Sequence, residues 1–330
     1  MTKVLVTGGA GYVGAALVPK LLERGFEVVV FDLMLFGSSS LPKHPSLKIV
    51  VGDIRDTAHF EESLEGCNIV LHLAAISNDP SFELDPELAR TINYDSFEPL
   101  VAACVRQGVA RFIFASSSSV YGVSENPDVT EKHPLVPLTD YSRYKALCEP
   151  ILFKYQSPDF TTLVLRPATV CGYSPRLRLD LSVNILTNHA VNKRLITVFG
   201  GAQKRPNIHI DDICDVYVAA LNWPQDKIAG EIFNVGYQNH SIADLAMLVK
   251  RVVESEVPGK EIEIVTQDSP DLRSYHVSSE KIAEVLGYRP EKTIEDAVRD
   301  LCRAFKAGKI PDPFGNENYY NVKIQARSRT

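Results

Sequence analysis

Tyr141 and Lys145 stand four residues apart in the stretch DYSRYKALCEP, which covers residues 140–150. On a helix, residues at this spacing share a face, so the phenol and the ammonium group can point into the same space. An ordinary tyrosine has a pKa of about 10, and a neighbouring cation would let it accept a proton near neutral pH. The same spacing also occurs on solvated helix faces. Whether the pair does chemistry therefore depends on the elements that position it.

Those elements begin with a glycine-rich turn in the segment KVLVTGGAGYVGAALVPKLLERGFEVVVFD, residues 3–32. A short β-rich run precedes Gly8, Gly11 and Gly14, a helical stretch follows them, and a second apolar run ends at Asp32. Such a β-α-β unit lets the backbone and a helix N-terminus approach a pyrophosphate. The carboxylate of Asp32 would bind the ribose hydroxyls and repel a 2′-phosphate, which predicts NAD rather than NADP. A purely structural glycine turn is the alternative.

Further apolar runs alternate with helical stretches, as in KIVVGDIRD, CNIVLHLAA and ARFIFASSSSVYG. This alternation predicts an α/β protein with a parallel sheet covered on both faces. In such sheets ligands bind at the carboxyl ends of the strands. The serines 116–119 lie at one such end, about twenty residues before Tyr141.

Composition narrows the class of protein. The chain has 330 residues, 45% hydrophobic and 23% charged, with a formal net charge of −6 and no basic block, so we expect no nucleic-acid surface. No apolar run is long enough to span a membrane, and the N-terminus lacks a signal-peptide pattern, which predicts a cytoplasmic protein. Six scattered cysteines without a C-x-x-C pair predict reduced thiols and no metal site.

Taken together, the motifs TGGAGYVG, GDIRD, HLAA, SSSSVYG, Tyr-x-x-x-Lys, LRPATVCG and IHIDD resemble the extended short-chain dehydrogenase/reductase superfamily. Within it, the chain is similar to the NAD-dependent nucleotide-sugar epimerases and dehydratases. The resemblance implies a Rossmann-type doubly wound parallel sheet with a smaller α/β substrate-binding domain. The NAD-binding part would comprise residues 1–170 and 206–236, and the nucleotide-sugar part residues 171–205 and 237–330.

The resemblance also assigns roles to individual residues. Tyr141 would be the general acid/base at a sugar hydroxyl, and Lys145 would stabilise the tyrosinate and bind the nicotinamide ribose. Ser117 would hydrogen-bond the same sugar oxygen, and Ser119 would direct a second hydroxyl at the substrate. The remaining implied cofactor contacts are Gly8, Gly11, Tyr12, Val13, Gly14, Asp32, Asp53, Ile54, Ala74, Ala75, Asn93, Pro167 and Val170.

Substrate contacts are implied for Thr169, Arg178, Asn184, Arg205 and Arg273, with Arg205 and Arg273 clamping a diphosphate. Two segments depart from the family pattern: TVCGY replaces N-V-Y-G-P, and DSPDLR replaces R-P-G-D. The longer stretch TVCGYSPRLRLDLSVN, residues 169–184, resembles a branch that acts on GDP-linked sugars, including heptoses.

Two residue positions bear on the reaction type. Dehydratases of this family carry an acidic pair where Ser118 and Ser119 stand, and 3,5-epimerising members carry a cysteine at the place of Ser118. Their absence favours 4-epimerisation, or oxidation or reduction at C4 alone. A non-catalytic NAD-binding regulatory protein is the alternative of another class.

Family members often dimerise through two helices, here predicted over residues 85–107 and 141–155. Pro99 and Pro150 interrupt these helices, so we expect both to bend within a homodimer. The segment after Pro311 shows no periodicity and is expected to wrap the surface or lack order.

Overall fold

The computed structural model describes residues 2–77, 82, 84–124, 126, 128–268, 274 and 276–322. The strands of this part of the chain are β1 (Lys3–Thr7), β2 (Glu27–Asp32), β3 (Leu47–Val51), β4 (Ile69–His72), β5 (Arg111–Ala115), β6 (Thr161–Pro167), β7 (Thr169–Cys171), β8 (Leu195–Phe199), β9 (Lys204–His209), β10 (Glu231–Val235), β11 (Gln238–Ser241) and β12 (Glu263–Gln267). The α-helices are α1 (Tyr12–Glu23), α2 (Thr57–Ser63), α3 (Pro86–Arg90), α4 (Phe97–Arg106), α5 (Asp140–Phe153), α6 (Ser182–Lys193), α7 (Ile210–Ala220), α8 (Gln225–Ile228), α9 (Ile242–Glu256), α10 (Glu280–Leu286) and α11 (Ile294–Lys306).

Seven parallel strands form the main sheet in the order β10-β6-β5-β4-β1-β2-β3. The strand order reverses at β1, which lies between β4 and β2. This is the doubly wound arrangement that the sequence predicts, and the prediction is confirmed.

Helices cover both faces of this sheet because successive side chains of each strand point to opposite sides. In β1, Val4 and Val6 pack in one buried cluster with Leu17 of α1, whereas Leu5 packs in a second cluster with Phe97 of α4. All three β1 side chains are fully buried. Two-sided burial explains why the strands read as continuous apolar runs.

A smaller part of the molecule contains two further sheets, ordered β11-β9-β7 and β12-β8, with a core contributed by α6, α9 and α11. The sequence predicts a helix near 181–192 and a strand at 196–199, and the structure contains both, as α6 and β8. As expected for 206–236, α7 packs against α1, and β10 extends the main sheet. The predicted domain boundaries at 170 and 206 fall inside β7 and β9, so the three-stranded sheet joins the two parts.

The helix predicted over 85–107 consists of three pieces, because a π-helical turn, Thr91–Asp95, separates α3 from α4. The N–H of Ser96 bonds the carbonyl of Thr91 at 3.2 Å, five residues back. Pro99 follows in the first turn of α4, where its missing N–H matters least. Pro150, in contrast, lies inside α5, which continues past it to Phe153.

The C-terminal segment turns back over the molecule. A 3₁₀-helix, Glu317–Tyr319, is present, and the carbonyl of Tyr319 accepts a bond from the N–H of Leu179 at 2.9 Å. All six cysteines are free thiols and buried. In the described residues, no helix has both the length and the apolar character needed to cross a bilayer.

Candidate active site

A cleft of about 620 Å³ opens at the carboxyl edge of the main sheet. Because the strands are parallel, the residues that follow β1, β2, β3, β4, β5 and β6 all meet at this edge. The cleft brings together the predicted residues Gly8, Gly11, Tyr12, Val13, Gly14, Asp32, Asp53, Ile54, Ala74, Ala75, Ser117, Ser119, Tyr141, Lys145, Pro167, Thr169, Val170 and Arg178.

The glycine turn is packed too tightly for side chains. Gly8 has a φ of +71°, and a Cβ there would lie 2.7 Å from the amide nitrogen of Ala74. A Cβ on Gly14 would lie 2.5 Å from the Cα of Gly9. Gly11 caps α1 without any side-chain bond, so the first N–H groups of this helix remain available to an anion. The turn therefore fits the diphosphate of a dinucleotide.

At the end of β2, Asp32 accepts hydrogen bonds from the N–H groups of Ala10 (3.0 Å) and Met34 (2.8 Å). Burial raises the pKa of Asp32, and these bonds together with the nearby Arg176 oppose the rise. The neighbours of Asp32 in sequence offer no positive charge, but the fold supplies one from Arg176.

The serine segment is a 3₁₀-helix, Ser118–Tyr121, capped by Ser117. The Oγ of Ser117 accepts a bond from the N–H of Ser119 at 3.1 Å, and the two Oγ atoms lie 2.8 Å apart. Ser117 and Ser119 are half-buried, whereas Ser118 is 1% exposed. The two hydroxyls predicted to meet the substrate therefore form one linked pair.

Tyr141 and Lys145 lie near the start of α5, which begins with a capping box between Thr139 and Ser142. The Lys145 Nζ donates to the carbonyl of Ala115 at 2.6 Å, so the ammonium group is tethered to the end of β5. Lys145 is buried, and this burial lowers its pKa to about 8 against the opposing effects of Cys148 and Glu149. Below pH 8 the side chain of Lys145 therefore carries a positive charge in the cleft.

Behind the serine segment lies a buried charge network. Glu149 binds Arg166 through both carboxylate oxygens, at 2.9 and 2.5 Å, and accepts a bond from Ser116 at 2.6 Å. Arg166 also donates to the hydroxyl of Tyr121 at 2.7 Å. Ser116 and Tyr121 flank Ser117 in the chain, so the network holds both ends of the segment that presents it.

His72 and Asn93 support the cleft from behind. The Nδ1 of His72 lies 2.8 Å from the Oγ1 of Thr7, and burial together with the Lys145 charge lowers the pKa of His72 to about 3. Asn93 bonds both the N–H and the carbonyl of Ile76 at 2.9 Å. Asn93 thus holds the cleft-lining backbone after β4 without lining the cleft itself.

The predicted substrate residues divide into two groups. Arg178 and Thr169 line the cleft, and Arg178 pairs with Asp180 at 2.9 Å, a partner that the sequence had not made evident. Arg205 lies on β9, two residues before Asn207, which pairs with Thr169 of β7. Arg205 is not among the residues that line the cleft. Arg273 falls outside the described residues.

Asn184 is not among the residues that line the cleft. Its side chain is fully buried, and its Oδ1 accepts a bond from the N–H of Gly172 at 2.9 Å. Its Nδ2 donates to the carbonyl of Arg178 at 2.8 Å and to the hydroxyl of Tyr12 at 3.2 Å. The amide therefore joins the 172–178 loop to α1, and the substrate contact implied for Asn184 stays a prediction.

Several cleft residues were missed from the sequence. They come from segments that are distant in the chain, and their types alone carry no motif. Burial is the main cause of the raised pKa of Tyr217 in α7, and Cys214 and Tyr141 raise this pKa further. The missed residues are Phe36, Ser77, Arg176, Tyr217 and Asn321.

Comparison with known proteins agrees with this geometry. The model of the NAD-dependent epimerase/dehydratase family matches residues 4–236. The chain is a member of that family. The resemblance seen in the sequence is therefore confirmed, and the predicted cofactor, NAD, is the one on which the family depends.

Relatives match over nearly their whole length. A UDP-glucose 4-epimerase from Lactobacillus helveticus is 28% identical over 326 residues, or 92% of this chain and 97% of the relative. The low-salt glycan biosynthesis protein Agl12 of Haloferax volcanii is 28% identical over 317 residues, or 92% of this chain and 98% of the relative. Among solved structures, the chain is similar to a UDP-glucuronic acid 4-epimerase from Bacillus cereus in complex with UDP-glucuronic acid and NAD. The TM-score is 0.81 at 28% identity, and the match covers 93% of this chain and 99% of the other.

Proposed function

We propose that this protein is an NAD-dependent nucleotide-sugar epimerase that works by transient oxidation at C4 of the sugar. Support comes from the cleft, because Ser117, Tyr141 and Lys145 all line it. The Lys145 Nζ of α5 also bonds the carbonyl of Ala115 at the end of β5. The relatives named UDP-sugar 4-epimerases support a UDP-linked substrate. A GDP-linked sugar is the second candidate, because of the stretch at residues 169–184.

Bound NAD would supply the hydride acceptor, held by the glycine turn and Asp32. Tyr141 would take the proton of the C4 hydroxyl, and the Lys145 ammonium would stabilise the resulting tyrosinate. The linked hydroxyls of Ser117 and Ser119 would donate to the oxygen as it becomes a ketone. Return of the proton from Tyr141, with hydride delivered to the other face of the ketose, completes the epimerisation.

The residues after Ser117 favour this reaction over loss of water. Elimination across C5 and C6 needs a carboxylate base and an acid, and Ser118 and Ser119 provide neither. Ser118 is also buried. A net C4 dehydrogenase or ketoreductase uses the same residues and differs only in releasing the ketose.

The full chain should be incubated with UDP-, GDP-, CDP- and dTDP-linked hexoses, and the products separated and assigned by NMR. We expect interconversion of C4 epimers for one nucleotide class. Tyr141→Phe should lower kcat by about 10³-fold or more, because the proton acceptor is lost.

Tyr144→Phe is the matched control on the same helix. Tyr144 packs between Phe82 and Tyr94 and lies outside the cleft lining, so its loss should leave kcat within about threefold. Binding of NAD without turnover of any sugar, or equal activity of the Tyr141→Phe variant, would favour the non-catalytic alternative. The assignment of residues to a nucleotide-binding and a substrate-binding domain belongs to the same proposal.

A further inference from the structure

Arg176 is a buried cation in the cleft, and no carboxylate of the described residues forms an ion pair with it. It is 6% exposed and lines the cleft at the Asp32 end. Its Nε is buried and makes no hydrogen bond. Buried polar groups in native proteins almost always have a partner, so an unpaired guanidinium nitrogen beside a cleft points to an acceptor that arrives with a ligand.

The surroundings of Arg176 hold the guanidinium in a defined plane. Its Cζ lies 3.5 Å from the centre of the Phe36 ring, and one terminal nitrogen donates to Oδ1 of Asn321. Asn321 in turn donates to the hydroxyl of Ser77 at 3.0 Å, and its own N–H donates to Asp180 at 3.2 Å. The C-terminal segment therefore contributes a cleft residue that orients Arg176.

The expected ligand is an anion with several oxygens. A stacked, planar guanidinium with an unbonded N–H suits phosphate oxygens. Burial lowers the pKa of Arg176 to about 9. Arg178 lowers this pKa further, whereas Asp180 and Asp32 raise it. Arg176 interacts electrostatically with Asp32 and with Tyr12, which follows the glycine turn. It therefore lies at the end of the cleft where the resemblance implies the adenosine diphosphate.

We propose that Arg176, oriented by Asn321, binds a phosphate of the diphosphate of the dinucleotide cofactor. This inference rests on the proposed function in one respect only, namely that the cleft takes NAD. A substrate diphosphate has the same chemistry, and Arg205 and Arg273 are the residues predicted to clamp it.

The test is titration of the full chain, with any copurified nucleotide measured and exchanged first, against NAD, ADP, adenosine and UDP. Arg176→Met should weaken the binding of NAD and of ADP by about tenfold to a hundredfold, which is the usual contribution of a charged hydrogen bond. The affinities for adenosine and for UDP should change by less than about twofold. Asn321→Ala should weaken ADP by about three- to tenfold, because the guanidinium loses its orientation, and Arg176→Lys should fall between wild type and Arg176→Met.

Lys193→Met serves as the matched control, since Lys193 makes a similar contact, 4.2 Å from the ring centre of Phe314, outside the cleft lining. An Arg176→Met variant that loses adenosine as strongly as ADP would show a packing role and overturn the proposal. Selective loss of UDP would assign Arg176 to the substrate, and unchanged ADP affinity would exclude any phosphate contact. Absence of sugar turnover alongside Arg176-dependent ADP binding would contradict only the proposed function.

Discussion

Glu149 and Arg166 form a two-point ion pair, at 2.9 and 2.5 Å, with side chains only 3% and 2% exposed. The pair joins α5, which carries Tyr141 and Lys145, to β6, which ends at Pro167 in the cleft lining. Through Ser116 and Tyr121 it also holds the segment that presents Ser117. One charge pair thus fixes the three elements that must be aligned.

Arg166→Met should lower the free energy of unfolding by about 3–5 kcal/mol, because it leaves the Glu149 carboxylate buried without its partner. Urea unfolding measures this change. Arg289→Met is the control, since the pair between Arg289 and Glu280 lies at the surface, with side chains 68% and 65% exposed. The control should change stability by less than about 1 kcal/mol. Equal effects of the two substitutions would contradict a special role for burial.

Lys145→Met should stabilise the ligand-free protein at pH 7. Burial lowers the pKa of Lys145 from 10.5 to about 8, so the native state binds this proton less tightly than the unfolded chain. Below pH 8 the buried charge of Lys145 destabilises the wild-type protein to its full extent, by up to about 3 kcal/mol. The variant also loses the bond to Ala115, and this loss offsets part of the gain. Between pH 8 and 10.5 only the unfolded chain keeps the proton, so wild type gains stability relative to the variant. Denaturant unfolding of both proteins from pH 7 to 10 measures the difference, and a constant difference would refute the shift.

Asp32→Asn should narrow the preference for NAD over NADP by about tenfold or more, because the charge facing the 2′ position is lost while Arg176 remains nearby. The asparagine can still accept one of the two backbone bonds that Asp32 makes. Fluorescence titration with both reduced cofactors measures the preference. A wild-type protein that binds NADPH more tightly would contradict the role given to Asp32.

The protein should be a homodimer at micromolar concentration, assembled through α4 and α5. Val105 and Leu147 on these helices are each 42% exposed in the single chain. Leu147→Arg should shift the protein to monomer in light scattering. Met247→Arg, at a residue of α9 that is 61% exposed, should not. A monomeric wild type, or dissociation by the Met247 substitution alone, would exclude this interface.

The parts of the site that could be predicted are those fixed by local sequence. The glycine turn, the serine run and the Tyr141–Lys145 spacing each act within a few residues, so their patterns predict their geometry. Parallel strands then bring the strand ends together, and for that reason the predicted cofactor residues other than Asn93 line one cleft.

The parts that could not be predicted depend on partners far apart in the chain. Arg176 and Asn321 are 145 residues apart, and nothing near either one indicates the other. Asn184 is buried against Tyr12 and Gly172, and neither its type nor its position in the sequence indicates that burial. The π-helical turn before Pro99 likewise depends on how the helix packs, which a periodicity of apolar residues does not encode.

Transfer of a labelled hydrogen tests the central claim most directly. The nucleotide-sugar that turns over should be prepared with deuterium at C4 and incubated with the enzyme in ordinary water. Oxidation at C4 with return of the same hydride predicts that the C4 epimer keeps its deuterium there and has the mass of the substrate. Loss of the C4 label to solvent, loss of water from the sugar, or a parallel reaction in deuterated water that places solvent deuterium at C3 or C5 would contradict the account.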